Sequence, residues 1–421
     1  MSKTKIAVIV DPYSSGALYA SEFAKHGVLC IAIQSSLPLP AHFLQDFDPS
    51  NFIEILSPSP SWELASHLSA RNVVAVVAGC DTAVMLTDEL SQRLGISGND
   101  SSTSAIRRFK DQMHEALKLR GLRHIDTAVF KSFEDFSRRL DEFGEGTTFV
   151  IKPLNSAGSE GVRFAQGHQG LVEEMKVAAW EQENVLGEIN SGFAVQPFIH
   201  GCEYVVDMVA TGEGFFTASV CRVHKIQMNG SRFVCDSVDL LDPQDAELDD
   251  LIKYAQEAAL ALGALSGPIH MELIWGNDGP VMIEAGARLP GAGLPSLYSE
   301  VYDPDLLSAA VCTYLDKPIT YPGTLLPASS PRRKRFGRAV CLISEADHEF
   351  RGIDNGDLKR LRTLMSYRGH KLYVKKHSTL LRTIDFATCP GIIFLAHESL
   401  QRLDEDEKRA RNIFSRYFGA D

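Results

Sequence analysis

Three short apolar runs early in the chain, KIAVIV (5–10), VLCIAI (28–33) and NVVAVVAG (72–79), limit the fold more than any other feature. Their length suits strands, and helix-patterned stretches, YASEFAKHG and DTAVMLTDELSQRLG, accompany the first and third. Strands that are apolar on both faces need cover on both sides, as in a parallel sheet between helix layers. The expected start is therefore a Rossmann-like α/β domain over residues 1–103. A nicotinamide dinucleotide is not expected there, because the first turn, DPYSSGAL, holds one glycine where such cofactors need G-x-G-x-x-G.

A helix is expected from Thr103 to Gly121, carrying Arg107, Arg108 and Lys110 and ending at a glycine suited to a left-handed C-terminal position. Residues 125–195 mix strands (TAVF, FVIKP, VRFA, FAVQPFI) with helices over Phe133–Phe143 and 169–181, an α+β unit small enough to move as a lid. From EYVVDMVA (203–210) the chain is strand-rich, with a helix at 245–263 and two strands, HMELIW and PVMIEAG. Short strands (VCLI, KLYVKK, GIIFLA) and a charged helix near 398–417 end it. The expected organisation is multidomain, α/β followed by α+β: 104–195 for the linker helix and lid, 196–316 for an antiparallel-sheet domain, 317–421 for a small α+β subdomain.

At 421 residues the chain has room for two to four domains. Its 44% hydrophobic and 23% charged content is that of an ordinary soluble enzyme. No segment approaches the length of apolar sequence that spans a bilayer, and the run before Asp11 is too short for a signal-peptide core, so a cytoplasmic protein without membrane partners is expected. A net charge of −12 argues against a nonspecific grip on nucleic acid. Eight cysteines without a C-x-x-C pair read as buried reduced thiols. The basic run Arg332-Arg333-Lys334-Arg335 follows prolines 322, 327 and 331, and reads as a solvated loop or as a local anion or partner contact.

The chemistry concentrates in FVIKPLNSAGSEGV (149–162). Gly158 and Gly161 permit positive φ and expose N–H groups, while Lys152 on the preceding strand adds a positive charge. Neither a Walker loop nor a dinucleotide fingerprint is present. The lysine precedes the glycines, so the loop reads as a hairpin lid over phosphates, or as an ordinary β-turn beside a surface lysine. Downstream, Glu272 and Glu284 lie on strands joined by GNDG. A three-residue loop, Asn277-Asp278-Gly279, sets Gly276 opposite Pro280 and Glu272 opposite Glu284; a loop one residue longer sends the two side chains to opposite faces. Facing carboxylates repel unless a cation sits between them, and an oxygen-only site beside phosphates suits Mg²⁺. The alternative is a solvent-facing edge with two exposed glutamates. Arg288 could neutralise a transferred phosphoryl group, and LPGAGLP, with Gly291 and Gly293, could wall a small substrate. In AVQPFIHGCEYVVD, Gln196 and the backbone near Phe198 and Ile199 could hold a base and Glu203 a ribose, although each alone is more often a hinge residue. His224 and Lys225, placed in a later loop, are candidate phosphate contacts.

In this order, Lys110, Lys152 with its glycine loop, Gln196 to Glu203, Glu272 and E-A-G-A-R at 284–288 resemble the ATP-grasp superfamily over about 20–316. NSAGSEGV, AGCDTAVMLTDELSQRLGISGN and EAGARLPGAG are similar to the L-amino acid ligases, the dipeptide-forming group that includes bacilysin and dapdiamide synthetases and carnosine synthase. The resemblance implies an ATP-grasp fold using ATP with Mg²⁺ or Mn²⁺. Lys110, Lys152 and the loop Ser156, Ala157, Gly158, Ser159, Gly161 would then hold the triphosphate, and Glu272 and Glu284 the metal. Arg288 would be catalytic, stabilising an acyl phosphate and the tetrahedral intermediate formed by amine attack, with Lys225 and His224 beside it. Small-molecule carboxylate and L-amino acid substrates and a homodimer are further implications. Gly286 departs from the family's E-x-N-x-R, whose asparagine ligates a second metal. A carboxylase using bicarbonate and a catalytically silent ATP-binding protein are the rival readings.

Overall fold

The computed structural model describes residues 4–40, 43–324 and 326–419. The apolar runs form β1 (Lys5–Val10), β2 (Leu29–Ile33) and β4 (Asn72–Ala78), joined by β3 (Glu54–Leu56) and covered by α1 (Tyr19–Lys25), α2 (Ser61–Leu68) and α3 (Val84–Leu94). Their sheet is parallel, in the order β3-β2-β1-β4. The strand order therefore reverses between β1 and β4, and ligands of open α/β sheets bind beyond the carboxyl ends at such a point. Asp11 follows β1 there, and Asp81 follows β4. The lone glycine of DPYSSGAL has a packing role: a Cβ on Gly16 would sit 2.4 Å from the Gly79 Cα.

The helix expected over Thr103–Gly121 is two elements, a 3-10 turn at Ser101–Arg107 and α4 (Lys110–Leu119). Tertiary contacts impose the break. The buried Arg107 guanidinium donates to Asp88 at 2.9 Å and to the Leu262 and Gly263 carbonyls at 3.0 Å, pinning the turn before the helix can continue. Gly121 has φ 70° just past the helix end, as expected.

The lid holds β5 (Ala128–Phe130), α5 (Phe133–Arg138), β6 (Thr148–Pro153), β7 (Arg163–Gln166), α6 (Gly167–Lys176) and β8 (Phe193–Pro197). Its sheet, β5-β8-β6-β7, is antiparallel and packs on Phe130, Phe136, Phe149 and Phe193. Full burial of each such ring contributes roughly 1.5–3 kcal/mol. Both lid helices are shorter than their periodicity suggests; α5 stops at Arg138 and gives way to a 3-10 turn at Leu140–Glu142.

Beyond the lid come β9 (Cys202–Thr211), β10 (Gly214–Met228), β11 (Ser231–Leu241), α7 (Asp249–Ala261), β12 (Gly267–Gly276), β13 (Gly279–Gly286), α8 (Leu294–Val301), β14 (Tyr302–Asp303) and α9 (Leu306–Tyr314). The remainder is β15 (Arg332–Arg333), β16 (Phe336–Cys341), β17 (His348–Glu349), α10 (Asn355–Arg362), β18 (Tyr367–Leu372), β19 (Thr379–Leu380), β20 (Gly391–His397) and α11 (Leu400–Phe418). One eight-stranded sheet, β13-β12-β9-β10-β11-β16-β20-β18, runs across the expected boundary at 316/317, with Ser237 of β11 opposite Val340 of β16. Helices α8 and α9 dock the first domain: Leu297, Tyr298, Leu306 and Val311 share a core with Tyr19 and Phe23.

The basic run is partly a short strand, β15, rather than a free loop, and although Arg332 and Lys334 remain exposed, its side chains have partners within the chain. Arg332 lies over the Tyr321 ring and Arg333 over Phe336, Lys334 pairs with Asp303 at 2.9 Å, and Arg335 pairs with Glu300 at 3.1 Å. No helix among the described residues is long and apolar enough to cross a membrane.

Candidate active site

A cavity of about 410 Å³ lies between the lid sheet and the central sheet. It gathers Lys110, Lys152, Ser156, Ala157, Ser159, Gln196, Phe198, Ile199, Glu203, His224, Lys225, Glu272 and Glu284; Gly158, Gly161, Arg288, Gly291 and Gly293 do not line it.

The carboxylates face each other by a route the sequence reading did not anticipate. Gly279 is left-handed (φ 91°) as expected, but Gly276 pairs with Gly279 and Trp275 with Pro280, not Gly276 with Pro280. Carried outward, that register would put Ile283 opposite Glu272. A β-bulge at Ile283 resets it, and Glu272 pairs with Glu284. The bulged Ile283 carbonyl accepts from Lys152 Nζ at 3.4 Å and takes His114 Nε2 at 3.2 Å. Burial drives the His114 pKa down to about 3, so the ring is neutral and its Nε2–H donates.

The cations are fixed by neighbouring acids. Lys110 Nζ pairs with Glu284 at 3.0 Å and donates to the Ser156 carbonyl of the loop at 2.7 Å. Burial lowers Lys152 to about 8, although Glu284, Glu272 and Glu203 work against the shift. Lys225 pairs with Glu203 at 2.6 Å, and burial still raises the Glu203 carboxyl. His224 and Lys225 are not in a loop. They lie within β10, whose fifteen residues run on to Met228, and His224 is 3.0 Å from Asp239 of β11.

Glu272 has a partner missed in the sequence. His270, on the same face of β12, lies 3.6 Å from it and 2.7 Å from the fully buried Asp207, which also accepts from Ser219 and Tyr298 at 2.8 Å. Burial opposes the charged imidazole, but Asp207 outweighs it and raises His270 to about 9. Burial would raise Glu272 in turn, and His270, Lys225 and Arg288 hold it down at about 2. Among the described residues, no set of three acidic, histidine or cysteine side chains is placed to hold a metal ion. The two facing glutamates fit a small hard cation that takes its remaining oxygens from phosphates and water, as Mg²⁺ does.

Arg288 is turned toward the first domain. Its Nε and Nη2 donate to Asp81 at 2.9 and 2.8 Å and its Nη1 to the Leu289 carbonyl at 3.0 Å, leaving further N–H donors on the guanidinium. This pair explains Gly286. A Cβ there would lie 3.1 Å from Asp81 Oδ1 and 3.2 Å from Arg288 Cζ, so a side chain at this position would require the pair to shift.

The glycine loop is left-handed at Gly158, Ser159 and Gly161 (φ 66°, 58° and 68°). Ala157, Val185 and Leu186 of the lid pack on Tyr13, Phe43 and Phe47 of the first domain, and Arg108 pairs with Glu188. The 289–293 loop is left-handed at Ala292 and Gly293. There Tyr373 Oη donates to the Ala292 carbonyl at 3.3 Å, and a Cβ on Gly293 would meet Phe394 at 3.2 Å. In the region expected to hold the base, Gln196 Nε2 donates to Thr127 Oγ1 at 2.7 Å and the Phe198 N–H to the Thr148 carbonyl at 2.8 Å.

His114 and Thr127 carried no motif; Asp81 and Asp207 lie in the quoted segments AGCDTAVMLTDELSQRLGISGN and AVQPFIHGCEYVVD, which did not single them out. His270 alone had a local signal, its i, i+2 spacing from Glu272.

The family description ATP-grasp domain matches residues 145–296. Dapdiamide A synthase of Enterobacter agglomerans is 30% identical over 305 residues, 71% of each chain. Carnosine synthase 1 of Gallus gallus is 26% identical over 285 residues, 65% of this chain but only 30% of that larger protein. The crystal structure of an L-amino acid ligase from Bacillus licheniformis superposes with a TM-score of 0.73 at 18% identity, covering 98% of this chain and 97% of the other.

Proposed function

Because the chain belongs to the ATP-grasp ligases, which form carbon–nitrogen bonds, we propose that it is an ADP-forming carboxylate–amine ligase acting on amino acids. In this reading the carboxylate of an amino acid or acylated amino acid attacks the γ-phosphorus of ATP, releasing ADP and leaving an acyl phosphate. The neutral amino group of an L-amino acid then adds to the acyl carbon, phosphate departs with the C–O electron pair, and the amide remains after loss of a proton.

The observation that carries the proposal is the convergence of Lys110, Lys152, Glu272 and Glu284 on one cavity under a lid loop. Phosphoryl transfer needs alignment and charge neutralisation more than it needs a protein nucleophile, and none is required here. Lys110 and Lys152 balance phosphate charge. Glu272 and Glu284 would hold Mg²⁺, which when bound neutralises phosphate oxygens. Arg288, oriented by Asp81, has donors left for the oxygen that becomes anionic when the amine adds. The seat of the lid on Tyr13 and Phe43 excludes water from the acyl phosphate. The named relatives join acids to amines, which supports the reaction class; the acid and the amine of this chain are to be found by assay.

A screen of paired amino acids with ATP and Mg²⁺, read as inorganic phosphate release and by mass spectrometry of the amide, tests the proposal. Equal amounts of phosphate, ADP and amide are expected. AMP and pyrophosphate as products would exclude the acyl-phosphate route.

A further inference from the structure

We propose that Cys235 and Cys341 form a peroxide-sensitive pair: oxidation joins them in a disulfide beside the cavity and weakens its hold on nucleotide. Formation of the bond stands on the thiols alone; its effect on ATP rests on the reading of the cavity as a nucleotide site.

Three of the eight unpaired cysteines converge. Cys235 lies on β11, Cys341 ends β16 and Cys389 lies just before β20, and these three strands are neighbours in the sheet. The register explains how Cys235 comes to this face. His224 pairs with Ser237 but Lys225 pairs with Cys235, so Asp236 is an extra residue in β11. Asp236 turns to Arg411 of α11 at 3.0 Å, while Cys235 turns the other way and packs against the core that holds Cys341 and Cys389. The Cys341 thiol stands within hydrogen-bonding reach of both of the others.

Their exposures set the order of events. Cys341 and Cys389 are 2% and 4% exposed, whereas Cys235 is half-buried, so an oxidant meets Cys235 first. Across the ladder from Cys235 is Lys225, whose positive charge acts on it. A partly open thiol with a cation on one side and a second thiol on the other is the setting of peroxide-sensitive cysteines. Hydrogen peroxide takes the Cys235 sulfur to a sulfenic acid as its O–O bond breaks and one water leaves. The Cys341 sulfur then attacks the Cys235 sulfur, the S–O bond breaks, and hydroxide departs as water with the Cys341 proton. In all, two thiols lose two electrons and two protons, and peroxide becomes two waters. Cys389 is held back by burial and by its own hydrogen bond, the thiol donating to the Gly391 carbonyl at 3.2 Å. A disulfide brings two sulfurs closer than thiol contact does, so Cys235 is drawn toward β16. Its ladder partner Lys225 pairs with Glu203 at 2.6 Å, and both line the cavity, which carries the displacement to the cavity wall.

The test treats the full chain with a small molar excess of hydrogen peroxide, blocks the remaining thiols, and identifies linked peptides by mass spectrometry; calorimetry with MgATP reads the site before oxidation, after it and after dithiothreitol. The oxidised chain should be two hydrogens lighter, with Cys235 linked to Cys341. MgATP affinity should fall on the order of tenfold, the scale of one lost hydrogen bond to a charged group, and return on reduction. Cys341→Ser should stop at the Cys235 sulfenic acid, trapped as its dimedone adduct, which a mere packing role for Cys341 would not produce. Cys202 is exposed and also lines the cavity, so Cys202→Ser should still lose affinity on oxidation. If Cys341→Ser fails to fold, Cys235→Ser serves instead, with ATP affinity expected to be indifferent to peroxide. Absence of the Cys235–Cys341 link, a link to Cys389 in its place, or a disulfide with unaltered ATP affinity would overturn the proposal. If the reduced wild type binds no ATP, the nucleotide reading fails, and the linked peptides alone decide the disulfide.

Discussion

At the scale of single residues, Gly286 shows how an apparent departure from a motif is resolved by a distant neighbour. Asp81 arrives from the first domain and, with Arg288, would have to shift to admit a side chain. Gly286→Asn should therefore push apart Asp81 and Arg288. Ligase turnover should drop on the order of 100-fold, the effect of disturbing one preorganised anion-binding group, with little change in ATP affinity. Restored or raised activity would show that the asparagine can be accommodated. Lys152 gives a pH signature. Its folded value, about 8, lies below its ordinary 10.5, so between these limits the unfolded chain binds a proton that the folded chain lacks. The nucleotide-free protein should gain stability as pH rises through that window, while ATP affinity falls because the ammonium facing the phosphates is lost. Lys152→Met should flatten both curves, in urea denaturation and in ATP titration; an unchanged slope in either would assign the effect elsewhere.

At the scale of elements, the β12–β13 hairpin and the glycine loop do the positioning. The tight turn and the bulge at Ile283 offset each other, so the two glutamates meet while the bulged carbonyl turns to Lys152 and His114. In the loop, left-handed φ at Gly158 makes a β-branched residue costly, by roughly 1–3 kcal/mol. Gly158→Val should raise the KM for ATP about tenfold or more, since a local cost near 1.4 kcal/mol is a factor of ten, and should leave the global Tm nearly unchanged because a Cβ there meets only Phe386, at 4.0 Å. A fall in Tm without a change in KM would mean that the loop shapes the fold and not the nucleotide site. Much of this scale was legible beforehand: the succession of strands and helices along the chain, the α/β start, the α+β unit that forms the lid and the facing glutamates. The hairpin shows the limit. Periodicity and turn residues report the period of a strand but not an inserted residue, and the expected pairing came out correct because a bulge compensated for a tighter turn. His224 and Lys225 illustrate the same limit, since their polar surroundings resemble a loop while β10 continues through them.

At the scale of the whole molecule, three units close on one site. The central sheet carries the carboxylates, the lid carries Lys152 and the loop, and the first domain supplies Asp81 and the aromatic seat of Tyr13, Phe43 and Phe47. Phe43→Ala should loosen that seat without unfolding the protein. The expected result is phosphate release that outruns amide formation, as water reaches the acyl phosphate before the amine does. Phosphate and amide counted in the same reaction would show it; a ratio held at one would mean that the seat does not control water.

The sequence by itself determined most of the secondary elements, because local periodicity depends on residues a few positions apart, and the class of chemistry, through the resemblance of its ordered motifs to the ATP-grasp superfamily; the cavity then brings Lys110, Lys152, Glu272 and Glu284 together. Only the tertiary structure decided that Arg288 answers to Asp81, 207 residues away, that Asp207 keeps His270 charged beside Glu272, and that Thr127 meets the Gln196 amide. Such contacts are set by how separate elements pack and by which donor each buried acceptor finds, and chain spacing carries no record of either.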